Sequence, residues 1–248
     1  SSNIQNVNSN IDPVRDLEII ETEMKLADLE SIQKRLEKKN KKNIPDKQVK
    51  ILEMALDCIN KDKSMEILNN NFSNSEINQS GLLSVKPKLY VCNVDEKSIK
   101  TGNNYTKSFI NKYEEKNTII VSVEVENQIN QLKDDEKKNY MQMINLKETS
   151  LNILIKKGYK LLELETFFTS GPEETRAWTI TKNSTAPEAA GVIHSDFQKG
   201  FIRSETVSYS DFVENKGWLN SKNNGKMRLE GKEYVVQDGD VLNFRFNT

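Results

Sequence analysis

Asn93 and Glu96 stand three residues apart, directly after the apolar run Leu89-Tyr90-Val91-Cys92. An amide offers one acceptor and two donors in a plane, and a carboxylate offers fixed acceptors. That pairing suits reading the edge of a purine base; the same residues also fit a strand that runs into a solvated polar turn. The apolar run itself predicts a buried strand, most naturally in a parallel sheet. In open α/β sheets, ligands bind outside the carboxyl ends of strands. A second run, Thr118–Val121, ends in Ser122-Val123-Glu124. Between them, Asn104 to Glu115 carries Phe109, Ile110 and Tyr113 at helical spacing. Strand, helix and strand in this order predict a parallel pair joined by a right-handed crossover, which would bring the two polar ends together.

Other reactive residue types are sparse. His194 is the single histidine and has no nucleophile spaced for catalysis, so it reads as ordering a loop or touching RNA. Cys58 and Cys92 are far apart and read as free thiols in a reducing compartment. No metal-ligand spacing is present. Lys199-Gly200 is one glycine beside one lysine, a turn and no phosphate cradle. The 248 residues contain no Gly-x-x-x-x-Gly-Lys-Ser/Thr. They therefore offer no site for β/γ-phosphates and Mg²⁺, and no catalytic residue is expected. Trp178 and Phe197 read as core residues, not stacking platforms.

The net charge is −1, so no global field draws nucleic acid; any such contact must be local. The local candidate lies between Lys34 and Lys50, with eight Lys or Arg against two acids. Lys38, Lys39, Lys41 and Lys42 form its centre. They sit between two helical patterns. The first starts at Asp12-Pro13, an N-cap followed by proline in the first turn, and carries Leu17, Ile20, Met24 and Ala27 at helical spacing. The second, after Pro45, carries Val49, Leu52, Leu56 and Ile59. The seam is narrow, which predicts a projecting antiparallel coiled-coil hairpin over 12–80, with an Asn/Ser-rich loop at 69–80. A basic tip there suits phosphate backbones, and equally suits a solvated hairpin end. Charged content of 29% and a mean hydropathy of −0.69 fit long exposed helices. No apolar run is long enough to span a membrane, and a cytoplasmic monomer is expected.

From Leu161 the texture changes. Leu161–Thr169, Arg176–Thr181, Ile202–Ser208, Met227–Leu229, Tyr234–Val236 and Val241–Phe246 read as strands, and Thr185-Ala186-Pro187-Glu188 opens a helix. Two strands, a helix and further strands suit a small α+β grasp-like domain at 161–248.

Together these motifs resemble the YchF, or Obg-like ATPase, branch of the translation-factor P-loop NTPases. Asn93-Val94-Asp95-Glu96 is similar to its Asn-x-x-Glu base-reading motif, and Ile11–Ile20 to the entry of its helical insertion. Phe167–Pro172, Arg176–Ile180, Thr185–Pro187, Ala189–Phe197, Lys199–Arg203 and Tyr234–Val241 resemble its TGS domain, a ubiquitin-like β-grasp fold. The resemblance implies an α/β fold: 1–11 and 81–160 as the C-terminal part of a P-loop NTPase domain, 12–80 as its insertion, and the TGS domain. Asn93 would bond the purine edge and Val94 would pack on the base. Glu96 would admit adenine where related GTPases carry Asp. Ser122 and Val123 would meet the base through backbone N–H groups, although Val123 and Glu124 depart from the family's Ser-Ala-Lys. Lys199 and Arg203, with the tip lysines, would contact ribosome or structured RNA. The expected ligand is ATP or GTP, with Mg²⁺ held by residues absent here, in a ribosome-associated NTPase of which this chain is a fragment. The rival expectation is a nucleotide-independent RNA- or ribosome-binding adaptor.

Overall fold

A computed structural model describes residues 11–38, 44–113 and 115–247. The chain divides into two compact units, one ending at Leu154 and the other beginning at Ile155.

The first unit opens with α1 (Pro13–Glu37), whose N-cap Asp12 accepts a hydrogen bond from the Arg15 N–H at 3.1 Å. α2 (Asp46–Asn60) follows. The expected two-helix seam is only part of what forms. α1 buries only Asp28 and Ile32, while Ile20 on the predicted stripe is more than half exposed. α2 buries Val49, Ile51, Leu52, Ala55 and Cys58. Ile51, Leu52, Ala55 and Cys58, with Ile32 of α1, close over Met65, Leu68, Ile77 and Leu82 into one cluster. The expected loop at 69–80 is largely helical. Met65–Asn70 is a 3₁₀ turn, and Asn74–Ser80 is α3. Ser73 and Glu76 cap α3 reciprocally, and Gly81 (φ +70°) ends it.

β1 (Tyr90–Asn93) and β2 (Thr118–Val121) are parallel, joined through α4 (Asn104–Tyr113). Phe109 of α4 packs edge-on against Tyr90, with ring centroids 5.3 Å apart. β1 is less buried than its apolar run predicts, with Val91 half exposed, because β2 is its one strand partner among the described residues. After β2 come α5 (Val123–Gln131), α6 (Asp134–Met143) and α7 (Ser150–Leu161). Val125 and Ile129 of α5 pack with Ile99, under Tyr140 and Met141 of α6.

In the second unit, β3 (Leu164–Ser170) and β4 (Thr175–Thr181) form a hairpin. α8 (Ala186–Ile193) has the Thr185–Glu188 capping box expected from sequence, and α9 (Ser195–Lys199) follows it. β5 (Phe201–Ser208) leads to α10 (Tyr209–Glu214), α11 (Trp218–Asn223), β6 (Arg228–Glu230) and β7 (Asp240–Phe246). The sheet order is β4-β3-β7-β5-β6, with β3 and β7 parallel. Tyr234–Val236 makes only an isolated bridge, Val235 to Thr185, instead of the expected strand. Phe167, Ile180, Phe201, Leu242 and Phe244 pack on Ala186, Ala189 and Ala190, with Trp178 and Phe197 against them as core residues. Among the described residues, no helix is long and apolar enough to cross a membrane.

Candidate nucleotide-base site and basic surfaces

Because β1 and β2 run parallel with Asn93 level with Val121, their carboxyl ends coincide. Two bonds fasten the loops beyond. The Val94 N–H donates to the Val121 carbonyl at 2.8 Å. The Val123 N–H donates to Asn93 Oδ1 at 3.3 Å. Asn93 is thereby anchored through its acceptor, which leaves the two amide hydrogens to donate outward. Val94 is 3% exposed, so its side chain belongs to the protein interior and not to an open ligand surface; Val123, at 59%, is the exposed valine.

Asp95 and Glu96 divide their duties. Asp95 caps the 3₁₀ turn Glu96–Ser98, accepting from the Ser98 N–H at 3.0 Å. Its hydrogen bonds to Ser98 hold the carboxyl below the ordinary range. Glu96 is exposed at the start of that turn, and its carboxylate is not used as the cap. Tyr140 lies close by. Burial pushes its phenol up, and the charges of Glu96 and Glu124 add to the effect. Only the packing of α6 on α5 brings Tyr140 here, and no sequence motif marks it.

Ser122 begins α5 as its N-cap, yet its side chain makes no capping bond. It is fully buried, and its Oγ has no hydrogen-bond partner among the described residues. Buried polar groups are rarely left unpaired. Ser122 Oγ is thus an orphaned group at the point where the two strand ends meet. Asn93, Ser122 and Val123 are brought together at the paired strand ends, and Glu96 lies exposed in the loop that follows β1. Among the described residues no group of three or more His, Cys, Asp or Glu side chains could hold a metal.

The basic residues are distributed differently from the sequence expectation. Lys38 is exposed at the end of α1; Lys39, Lys41 and Lys42 lie outside the described residues. Several neighbouring cations are already engaged. Lys34 pairs with Glu30, Arg35 donates to the Ser80 carbonyl at 2.6 Å, and Lys47 pairs with Glu76 at 2.6 Å. In the second unit, Lys199 is exposed and 3.9 Å from Asp196. Arg203 is exposed on β5, level with Arg245 on β7, and Glu205 holds Arg245 at 3.1 Å. His194 orders the turn into α9, its Nδ1 accepting from the Asp196 N–H at 3.2 Å. Gly200 is required by packing: a Cβ there would fall 1.9 Å from the Asn247 carbonyl oxygen.

Comparison with known proteins agrees along the whole chain. The family model YchF-GTPase_C, described as a protein of unknown function (DUF933), matches residues 164–247. The ribosome-binding ATPase YchF of Haemophilus ducreyi is 41% identical over 265 residues, covering 100% of this chain and 70% of the relative. That of Bacillus subtilis is 40% identical over 257 residues, covering 99% and 70%. Among solved structures, the YchF GTPase of Schizosaccharomyces pombe superposes with a TM-score of 0.79 at 30% identity, covering 98% of this chain and 69% of the other. A GTP-binding protein of Pyrococcus horikoshii shares the fold alone, with a TM-score of 0.60 at 18% identity. The α/β architecture is thus that of YchF and GTP-binding proteins, and the chain belongs to the YchF family.

Proposed function

We propose that this chain is the base-recognising and partner-binding portion of a ribosome-associated purine nucleotide-binding protein, whose whole form hydrolyses ATP or GTP. The observation that carries this reading is the 41% identity to a ribosome-binding ATPase along all of the chain. In this reading the outward amide hydrogens of Asn93 bond the purine, the Ser122–Val123 backbone lines its edge, and Glu96 admits adenine. Mg²⁺ and the phosphates have no ligand set among these residues; bound Mg²⁺ would supply charge neutralisation at the phosphates. What this chain contributes is orientation of the base.

The helices around α1 and α2 serve as the inserted coiled-coil hairpin and residues 161–248 as the TGS domain. Lys38, Lys39, Lys41 and Lys42 at the hairpin tip, with Lys199 and Arg203, contact ribosomal or structured RNA in the cytoplasm. Replacing the four tip lysines by Glu should lower co-sedimentation with ribosomes and flatten its salt dependence, because fewer counterions are released. Pelleting equal to the parent chain at every salt would reject the tip as a contact.

The 248 residues carry no phosphate-binding loop motif, and this favours a second reading as a nucleotide-independent adaptor. Calorimetric titration of ATP and GTP into the chain and its Glu96→Asp variant separates the two. A shift toward GTP in the variant supports base reading, and no heat from either nucleotide supports the adaptor.

A further inference from the structure

Asn-Gly occurs once in the 248 residues, at Asn224-Gly225. The pair lies between α11 and β6, and both residues are exposed. Gly225 stands at φ +68°, and a Cβ built there would meet nothing within 4 Å. No side chain of its own shields its backbone nitrogen.

An asparagine followed by glycine can close a ring on itself. The Gly225 nitrogen, on losing its proton, attacks Asn224 Cγ. The new C–N bond completes a five-membered imide, the Cγ–Nδ2 bond breaks, and ammonia leaves with the proton. Water then opens the ring at either carbonyl. One opening gives aspartate. The other gives isoaspartate, whose main chain runs through Cβ and Cγ. Water is taken up and ammonia released, and no oxidant, reductant or enzyme is needed.

In the folded chain both reacting groups are held. The Gly225 N–H donates to the Lys222 carbonyl at 3.1 Å. Asn224 Nδ2 donates to Asn215 Oδ1 at 2.6 Å, which ties the end of α11 back to the end of α10. Asn215 is itself pinned. Its Nδ2 donates to the Asp211 carbonyl at 2.7 Å, and its own carbonyl accepts from Asn220 Nδ2 at 2.9 Å. The Asn215 amide cannot turn over without giving up the bond to Asp211, so the atom it offers Asn224 is an acceptor. α11 has six residues, short enough for its last turn to fray.

We propose that Asn224-Gly225 is a self-modification site, gated by Asn215, and that its conversion unlatches α11 from α10. The gate acts because fraying must release Asn224 Nδ2 before Cγ can meet the Gly225 nitrogen. Conversion replaces the Nδ2 donor by a carboxylate oxygen, so acceptor faces acceptor and the bond to Asn215 is lost. It adds one negative charge to a chain of net charge −1. The new carboxylate lies two positions from Lys226 and competes for it with Asp211, its present partner at 3.1 Å. In the isoaspartate form, the longer main chain also draws the Gly225 and Lys226 N–H groups away from the Lys222 and Ser221 carbonyls.

The test is peptide mass spectrometry of the full chain after incubation at neutral and at alkaline pH, with an isoaspartyl methyltransferase as the probe for isoaspartate. Asn224 should convert about tenfold faster than Asn223, whose successor carries a side chain. It should convert faster still at alkaline pH, because the nucleophile is the deprotonated nitrogen. Asn215→Ala should speed Asn224 roughly threefold or more by freeing the last turn. Asn215→Asp keeps an acceptor in place and should hold Asn224 at or below the parent's rate, which separates the gate from general loss of stability. Asn224→Asp, the aspartate product made directly, should raise hydrogen exchange at the Gly225 and Lys226 N–H groups about tenfold. Equal rates at Asn224 and Asn223 overturn the site, and the parent's rate in Asn215→Ala overturns the gate. Unchanged exchange in Asn224→Asp overturns the unlatching.

Discussion

Ser122→Ala should stabilise the first unit, against the rule that its position suggests. Serine at a helix N-cap ordinarily contributes about 1 kcal/mol through its side-chain bond to the first turn. Here Ser122 occupies the N-cap of α5 but makes no such bond. Its backbone serves the helix instead, the carbonyl accepting from the Glu126 N–H at 3.0 Å, and this survives substitution. The hydroxyl is fully buried without a partner among the described residues. Leaving a buried donor unmade costs about 1–3 kcal/mol. Removing the hydroxyl while keeping Cβ should therefore gain about 1 kcal/mol, and raise the melting temperature of a unit this size by roughly 3 °C. The capping rule gives the opposite sign, so the two expectations differ by about 2 kcal/mol. Urea titration followed by circular dichroism at 222 nm is the assay, since a change in midpoint at constant slope reports stability alone. A loss of about 1 kcal/mol would refute the reasoning and show that the hydroxyl caps α5 in solution. If the site holds a purine nucleotide, the same variant should bind it more weakly while being more stable, the trade expected of a polar group kept for a ligand.

Asp28→Ala should cost about 3 kcal/mol, because it removes three charge-assisted bonds from a side chain that is buried. These come from the Leu83 N–H (2.8 Å), the Ser84 N–H (2.8 Å) and the Ser84 hydroxyl (2.5 Å). Asp28→Asn should cost roughly half as much in the same urea assay, since one acceptor oxygen remains. Glu76, held down from 4.5 to about 2 by its bonds to Lys47 and Ser73, contributes stability that is complete above its unfolded value and is lost as pH falls from 4.5 toward about 2. Glu76→Gln should flatten that part of the stability–pH curve, and an unchanged acid slope would count against the Lys47 pair. The purified 248-residue chain should release no phosphate from ATP or GTP above buffer, because it carries no phosphate-loop motif. Turnover that follows the protein through every purification step would reveal a phosphate site elsewhere.

The sequence by itself determined the elements whose signals are local. Asp12-Pro13 opens α1, Thr185 and Glu188 cap α8, and the apolar runs at 89–92 and 118–121 become the parallel pair β1 and β2. The amide at the end of one strand and the serine loop at the end of the other are legible for the same reason: each follows a short β run at once. Ser73-x-x-Glu76 was an equally local signal, but the Asn/Ser composition around it masked α3.

The tertiary structure decided how the residues are used, because use depends on groups distant in the chain. Asp28 falls on the charged stripe of α1, yet it is buried because residues 83–84, some 55 positions later, bring it two backbone donors. Lys34, Arg35 and Lys47 read as free tip charge, but Glu30, Ser80 and Glu76 engage them. Val94 turns inward and Val123 outward, although both follow strands of the same kind, because Val94 continues the pairing of β1 with β2 while Val123 begins a helix. The edge status of β4 also has no local signature. It depends on β7 pairing with β3 and leaving β4 with a single neighbour, which only the closed sheet establishes.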